Sequence, residues 1–184
     1  MRNTIILLLI VAFGISNTKA VDYTPSRIPF YILNAATAYK IDVNLMYAIC
    51  ITESKCKAHA LNKDDGTPAE KAQGIKVKSY GLFQIKSETA RSLGFVNKKT
   101  VTVVKMYKHH KLALKTVVDL SDELFKPEVN SLYAAKLLHK LYDKYHTTDR
   151  VISAFNAGHP VKCNSDYVLK VLKNYAKLTI DSRR

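Results

Sequence analysis

One stretch restricts the fold of this chain more than any other. From Pro127 onward, Val129, Leu132, Tyr133, Leu137, Leu138, Leu141, Tyr142 and Tyr145 recur at steps of one, three or four residues. Proline suits the first helical position, where no N–H partner is needed, and this spacing predicts an amphipathic helix with a broad apolar side. Such a side must be covered, and the rest of the chain supplies covering helices. Thr24-Pro25 reads as a cap and first turn, after which Ile28, Ile32, Ala35, Ala36 and Tyr39 share a face. Asp42 can cap a helix in which Leu45, Met46, Ile49 and Thr52 align, ending near Glu53-Ser54. Ser87 to Leu93 reads as a short helix closed by Gly94. Thr148-Asp149 opens another that Gly158 ends, and Ser165 caps a last one with Val168, Val171, Leu172 and Tyr175 inward. Residues 55–78 lack periodicity and hold the turn-rich Asp64-Asp65-Gly66-Thr67-Pro68. Residues 97–118 fit two states: Thr100–Val104 reads as β, and the segment as a whole could be helix. No repeat and no linker interrupts the pattern, so one mainly helical domain is expected.

Charge limits the partners. The 184 residues carry 29 Lys and Arg against 15 Asp and Glu, a formal net charge of +14. An excess of that size implies an acidic partner: nucleic acid, an anionic membrane or an anionic polymer outside the cell. With 47% hydrophobic residues the chain is an ordinary globular protein, not a disordered polycation. The first twenty residues narrow the choice. Met1-Arg2-Asn3 gives a positive start, Ile5 to Ile15 an apolar run, and Thr18 and Ala20 small residues around a cut after Ala20. This is the layout of a secretory signal, and the run is too short to cross a bilayer, which needs about 20 residues. Residues 1–20 are thus expected to be removed, leaving 21–184 as the mature domain. The cut takes Arg2 and Lys19 with it, two of the fourteen excess positive charges, and leaves +12. Export to the periplasm, envelope or medium makes nucleic acid a poor partner. No stable membrane insertion is expected after cleavage, and a monomer is.

Three cysteines, Cys50, Cys56 and Cys163, then meet an oxidising compartment. Six residues of helix would separate Cys50 from Cys56 by about 9 Å, so a bridge from Cys163 to one of them is expected. The six His show no metal-ligand spacing, and His109-His110 fall in a lysine-rich stretch that reads as solvated surface.

Three short segments carry possible chemistry. Ile51-Thr52-Glu53-Ser54 closes an apolar helix. A carboxylate there is desolvated by its neighbours and faces the negative end of the helix dipole, and both effects favour its acid form. Tyr80-Gly81-Leu82-Phe83-Gln84 combines a glycine, which allows close backbone approach, with an amide that can donate and accept. Ala154-Phe155-Asn156-Ala157-Gly158 ends a helix, and Asn156 is the one residue a simple helix stop does not account for.

Taken in order, and followed by Asp166-Tyr167-Val168, these segments resemble the lytic transglycosylase family of the soluble, lysozyme-like type (SLT). Leu124-Phe125-Lys126-Pro127-Glu128-Val129-Asn130 is also similar to that family, and the resemblance covers roughly residues 28–178. It implies a mainly α fold of the α+β lysozyme-like superfamily, a single compact helical domain with a substrate cleft. It implies Glu53 as the single catalytic acid/base. Ser54 would support the end of its helix. Ser79, Gly81, Phe83 and Gln84 would line or underlie the sugar cleft, Phe155 and Asn156 would flank the centre from the opposite wall, and the Tyr167 hydroxyl would approach the carboxylate. Tyr175 is the rival for that place and reads as core. The implied reaction cleaves the MurNAc–GlcNAc β-1,4 bond of peptidoglycan and closes a 1,6-anhydro ring, with no metal or organic cofactor. Alternatives are a lysozyme-like muramidase using the same cleft, and a cationic wall-binding protein without activity.

The chain departs from the family pattern in two places, an extended loop at 55–79 and a basic insertion at 97–120 with Lys98, Lys99, Lys105, Lys108, Lys111 and Lys115. The insertion is either a solvated face or a clamp on anionic wall polymer. Cys56 stands where the family commonly has a bulky apolar residue, and Cys163 follows the third motif closely. The resemblance therefore favours a Cys56–Cys163 bridge tying the two cleft walls. The resemblance also implies a role as a local wall-opener for a secretion machine, a pilus or phage entry, and nothing in the sequence selects one.

Overall fold

The computed structural model describes residues 27–96, 101–106, 112–117, 121–159 and 164–181. The expected signal sequence, the Thr24-Pro25 cap, His109-His110 and Cys163 lie outside them. Among the described residues the chain runs α1 (Ile28–Tyr39), α2 (Val43–Ser54), β1 (Leu61–Asn62), α3 (Pro68–Ala72), β2 (Ser79–Tyr80), β3 (Ile85–Lys86), α4 (Ser87–Ser92), β4 (Val101–Met106), β5 (Leu112–Val117), α5 (Ser121–Leu124), α6 (Pro127–Tyr145), α7 (Thr148–Ala157) and α8 (Ser165–Asp181). No helix among these residues is long and apolar enough to cross a membrane.

Helix α2 is central. Leu45, Met46, Ala48, Ile49 and Cys50 are all buried, so it is apolar around most of its circumference, as a helix enclosed by others must be. Asp42 caps it, its carboxylate accepting from Leu45 N at 2.9 Å. Helix α8 packs along one side of α2, α1 along another, and α6 joins α1 to α7. The side chains between them form one core with Ile32, Phe83, Leu138, Ile152 and Val171 at its centre.

The long helix α6 starts at Pro127 as expected, yet its innermost residues are not the bulky ones. Pro127, Asn130, Ser131, Ala134, Ala135, Leu138, Leu141 and Tyr145 are buried, whereas Leu132 is 41% exposed and Val129, Tyr133, Leu137 and Tyr142 pack at the margin. The small residues of the inner stripe let α1 and α7 approach closely, and the large ones seal the sides.

Residues 55–79 are more ordered than the absence of periodicity predicts. Thr67 and Glu70 form a reciprocal capping box that starts α3 behind Pro68. Strands β1, β2 and β3 make a small antiparallel sheet, pairing Leu61 with Tyr80, Asn62 with Ser79 and Ser79 with Lys86. Within the basic insertion, β4 and β5 form a separate antiparallel hairpin with Val104 opposite Leu114. The β expectation for Thr100–Val104 is thus met from Val101 onward, and the helical alternative is not.

The cysteine pairing corrects the sequence expectation. Cys50 and Cys56 are bridged, with Cα atoms 5.1 Å apart. The 9 Å expected between them assumed that both lie in one helix. The helix ends at Ser54, and Lys55 and Cys56 both take left-handed backbone angles, φ 55° and 53°. These two residues wrap the chain back, so that Cys56 N donates to Cys50 O at 3.2 Å and the two side chains meet. Cys56 is therefore not available to Cys163.

Candidate active site

Two structural decisions place Glu53. Helix α2 stops one residue beyond it, and α8 begins so that Tyr167, two residues after Ser165, faces the same point. The Tyr167 hydroxyl donates to Glu53 Oε1 at 2.5 Å. The two helices are also tied by Asn174 Nδ2 donating to Thr52 Oγ1 at 3.0 Å. Burial is the main influence on the Glu53 carboxyl and lifts it from an ordinary 4.5 to about 7; the Tyr167 hydrogen bond lowers it, Asp65 raises it and Lys86 lowers it. Burial, then the neighbouring glutamate, holds the Tyr167 phenol far above its ordinary range, so it stays protonated and remains a donor. Tyr175 lies elsewhere, its hydroxyl 3.2 Å from Asp42 Oδ2.

Glu53 opens onto a cavity of about 570 Å³. One wall is the sheet and the 62–67 turn, including Asp65, Ser79, Gln84 and Lys86; the other is the end of α7, with Phe155, Asn156 and Gly158. The wall segment 79–84 is fixed to α2 by Ser54, whose hydroxyl donates to Leu82 O at 2.7 Å. It is fixed to α6 by Asn130, which is fully buried. Asn130 Oδ1 accepts from Phe83 N at 2.8 Å, and its Nδ2 donates to Tyr80 O and Leu124 O, each at 2.8 Å.

The sequence-predicted residues are brought together around this cavity, with differences in what they touch. Glu53, Ser79, Phe83, Gln84, Phe155 and Asn156 border it, Phe83 with its ring in the core beneath. Gly81 is buried behind the wall. Its φ is 73°, and a Cβ there would lie 2.6 Å from Asn130 Nδ2 and 2.7 Å from Leu124 O, so its close approach is to the protein's own α6 region. The Gln84 amide is occupied as well: Oε1 accepts from Ser79 Oγ at 3.0 Å, and Nε2 donates to Gly81 O at 2.9 Å and Ala60 O at 3.2 Å.

Asn130 and Lys86 escaped the sequence reading, and Asp65, which with Asp64 reads from its hydrophilic turn as solvated, is corrected by its place on the cavity wall. Asn130 had a visible signal, a polar residue on the helical face shared by Ala134, Leu138 and Leu141. Asp65 and Lys86 had none, because only the pairing of β2 with β3 and the return of the 62–67 turn bring them to the wall. Asp64 is exposed and pairs with Lys71 at 3.0 Å, whereas Asp65 faces the cavity. Among the described residues no group of three or more His, Cys, Asp and Glu side chains gathers where a metal could bind.

Comparison with known proteins agrees with this architecture. Residues 30–166 match the family described as Transglycosylase SLT domain. The chain belongs to that family, the SLT-type lytic transglycosylases of peptidoglycan, and has its mainly helical lysozyme-like fold. It is 26% identical over 154 residues to a "Peptidoglycan-binding-like protein" of Escherichia coli O157:H7, covering 82% of this chain and 79% of that one. Among solved structures it is similar to an inactive Glu-to-Gln mutant of the lytic transglycosylase Slt of Pseudomonas aeruginosa. That match has a TM-score of 0.54 at 17% identity and covers 82% of this chain but 24% of the solved one. The chain thus spans about a quarter of that larger protein.

Proposed function

We propose that this SLT-family enzyme cleaves the MurNAc–GlcNAc β-1,4 bond of peptidoglycan and leaves a 1,6-anhydro-MurNAc end, with Glu53 as its single acid and base. The observation that carries the reading is the state of Glu53, a carboxyl raised to about 7 at the edge of a cavity roomy enough for sugar rings. Tyr167 occupies Oε1, which leaves Oε2 to hold the proton toward the cavity. In the first step Glu53 gives that proton to the bridging oxygen, and the bond from C1 to that oxygen breaks. The N-acetyl group of the same sugar stabilises the cationic C1. In the second step the C6 hydroxyl adds to C1 and Glu53 takes its proton back, so no water is consumed. A group that must be acid in one step and base in the next works best with a pKa near the working pH.

The relatives support the same reading: one is described as a peptidoglycan-binding-like protein, and the other is a lytic transglycosylase inactive with Gln in place of a Glu. The net charge, +14 over the full sequence, stays strongly positive after the expected cut and suits an anionic wall polymer, which an exported protein in the periplasm or envelope would meet. The test is digestion of purified sacculi by wild type and Glu53→Gln, with mass analysis of the products. Anhydro products, one water lighter than hydrolysed ones, are expected from wild type, with a loss of about a thousandfold or more in the variant. Full activity in a folded Glu53→Gln protein overturns the role of Glu53, and hydrolysed ends alone overturn the ring closure.

A further inference from the structure

The cavity holds a second carboxylate that the chemistry of Glu53 does not use. Asp65 sits on the sheet-side wall, held from three directions. Its Oδ2 is 3.5 Å from Lys86 Nζ, its Oδ1 accepts from Asn62 Nδ2 at 3.2 Å, and its backbone N–H donates to Val77 O at 2.9 Å. Lys86 is fixed in turn by β3, where it stands opposite Ser79. Both side chains are about one-third exposed, 33% for Asp65 and 32% for Lys86, and both border the same cavity as Glu53. An ion pair placed only for stability would gain little at such exposure. Within a partly desolvated cavity, however, each member keeps a field that reaches a third ionisable group.

We propose that Asp65 and Lys86, paired at 3.5 Å on the sheet-side wall of the cavity that Glu53 also borders, are a charge-setting pair for that glutamate. Both are positioning residues that act through Glu53, and the proposal rests on Glu53 being the acid/base of the reaction. Among the described residues, the groups that act on Glu53 are Tyr167 from α8, Asp65 from the 62–67 turn and Lys86 from β3. Their signs are distinct, since Tyr167 and Lys86 favour the ionised form and Asp65 opposes it, on top of the larger effect of burial. Lys86 also reaches Glu70 of α3, which is held low mainly by its own hydrogen bonds with Thr67. The extended loop thereby gains a role in the chemistry, because it is the element that carries Asp65 to the wall.

The test uses Asp65→Asn, Lys86→Gln and the double variant in the mature enzyme. Two quantities are read: kcat/KM against pH on a soluble glycan, and the titration of the Glu53 carboxyl by carbon NMR without substrate. In Asp65→Asn the alkaline limb should move to lower pH, with activity at pH 7.5 reduced about three- to tenfold and activity at pH 5.5 little changed. In Lys86→Gln it should move to higher pH, and the double variant should fall between the two. Asp65→Glu should restore the wild-type limb. An unmoved Glu53 titration in both single variants overturns the proposal. So does an equal loss at every pH, which marks a structural role, or a change in the share of hydrolysed product without a shift, which marks Asp65 as a base for water. Should Asp65→Asn fail to fold, Lys86→Gln decides alone by its opposite sign. If Glu53→Gln proves active the proposed function fails, while the NMR titration still reports on the pair by itself.

Discussion

A carboxyl raised to about 7 in the folded protein must affect stability. Glu53 binds its proton more tightly folded than unfolded, where it titrates near 4.5. Its favourable contribution is therefore complete below the unfolded value and is lost as pH rises through about 7. Glutamine resembles the protonated acid at all pH values and can still accept the Tyr167 hydrogen bond through its Oε1. Glu53→Gln should match wild type near pH 4.5 and become more stable above pH 7, by about 2 kcal/mol once solvent at the cavity mouth is allowed for. Urea denaturation midpoints at pH 5 and pH 8 measure this directly. A gap that does not widen with pH would mean that Glu53 titrates as an ordinary surface carboxylate.

Between elements, the decisive contact is the one from α6 to the β2–β3 turn. Asn130 bonds the Phe83 N–H and the Tyr80 and Leu124 carbonyls, and Asn130→Ala removes all three of these buried hydrogen bonds. The cost should be about 3 kcal/mol, read from chemical denaturation. Gly81→Ala should cost as much or more, since its methyl meets Asn130 Nδ2 at 2.6 Å and its φ is 73°. The double variant should cost clearly less than the two losses added, because both break one contact; simple additivity would show the two sites to be independent. The same region shows what the sequence could disclose. Asp42, the helix faces of α1 and α2, the stop at Ser54 and the meeting of Tyr167 with Glu53 follow from capping, periodicity and family motifs. The turn after Ser54 did not, since two non-glycine residues in left-handed conformation leave no compositional mark, and the cysteine pairing depends on that turn. The inner stripe of α6 was obscured for a different reason: its residues are small or polar, and hydrophobicity points instead to the larger ones that flank it. The α3 capping box was legible in Thr67-Pro68-Ala69-Glu70, but its helix is too short to show a period. Asp65 and Lys86 meet only through strand pairing, a nonlocal fact that no local pattern contains.

Over the whole molecule the positive charge is spread unevenly, and the 97–120 insertion holds six lysines: Lys98, Lys99, Lys105, Lys108, Lys111 and Lys115. Its two strands pair in a hairpin separate from the three-stranded sheet that carries the cavity wall. Binding of long glycan and chemistry at Glu53 should therefore be separable. Replacing the six lysines by Gln removes six positive charges from the full sequence's net +14 and leaves every described residue that lines the cavity in place. Attraction between exposed charges is screened within about 10 Å at 0.1 M salt, so its effect must fade as ionic strength rises. The substituted protein should bind sacculi about tenfold more weakly at 20–50 mM salt and equally well near 0.5 M, in a sedimentation assay. Its kcat on a short soluble glycan should match wild type at both concentrations, because such a substrate spans the cavity alone. Equal binding at low salt would reduce the insertion to a solvated face, and a fall in kcat on the short glycan would place it in the cavity's chemistry. The first outcome would leave the remaining charge of the domain to account for the attraction to the wall.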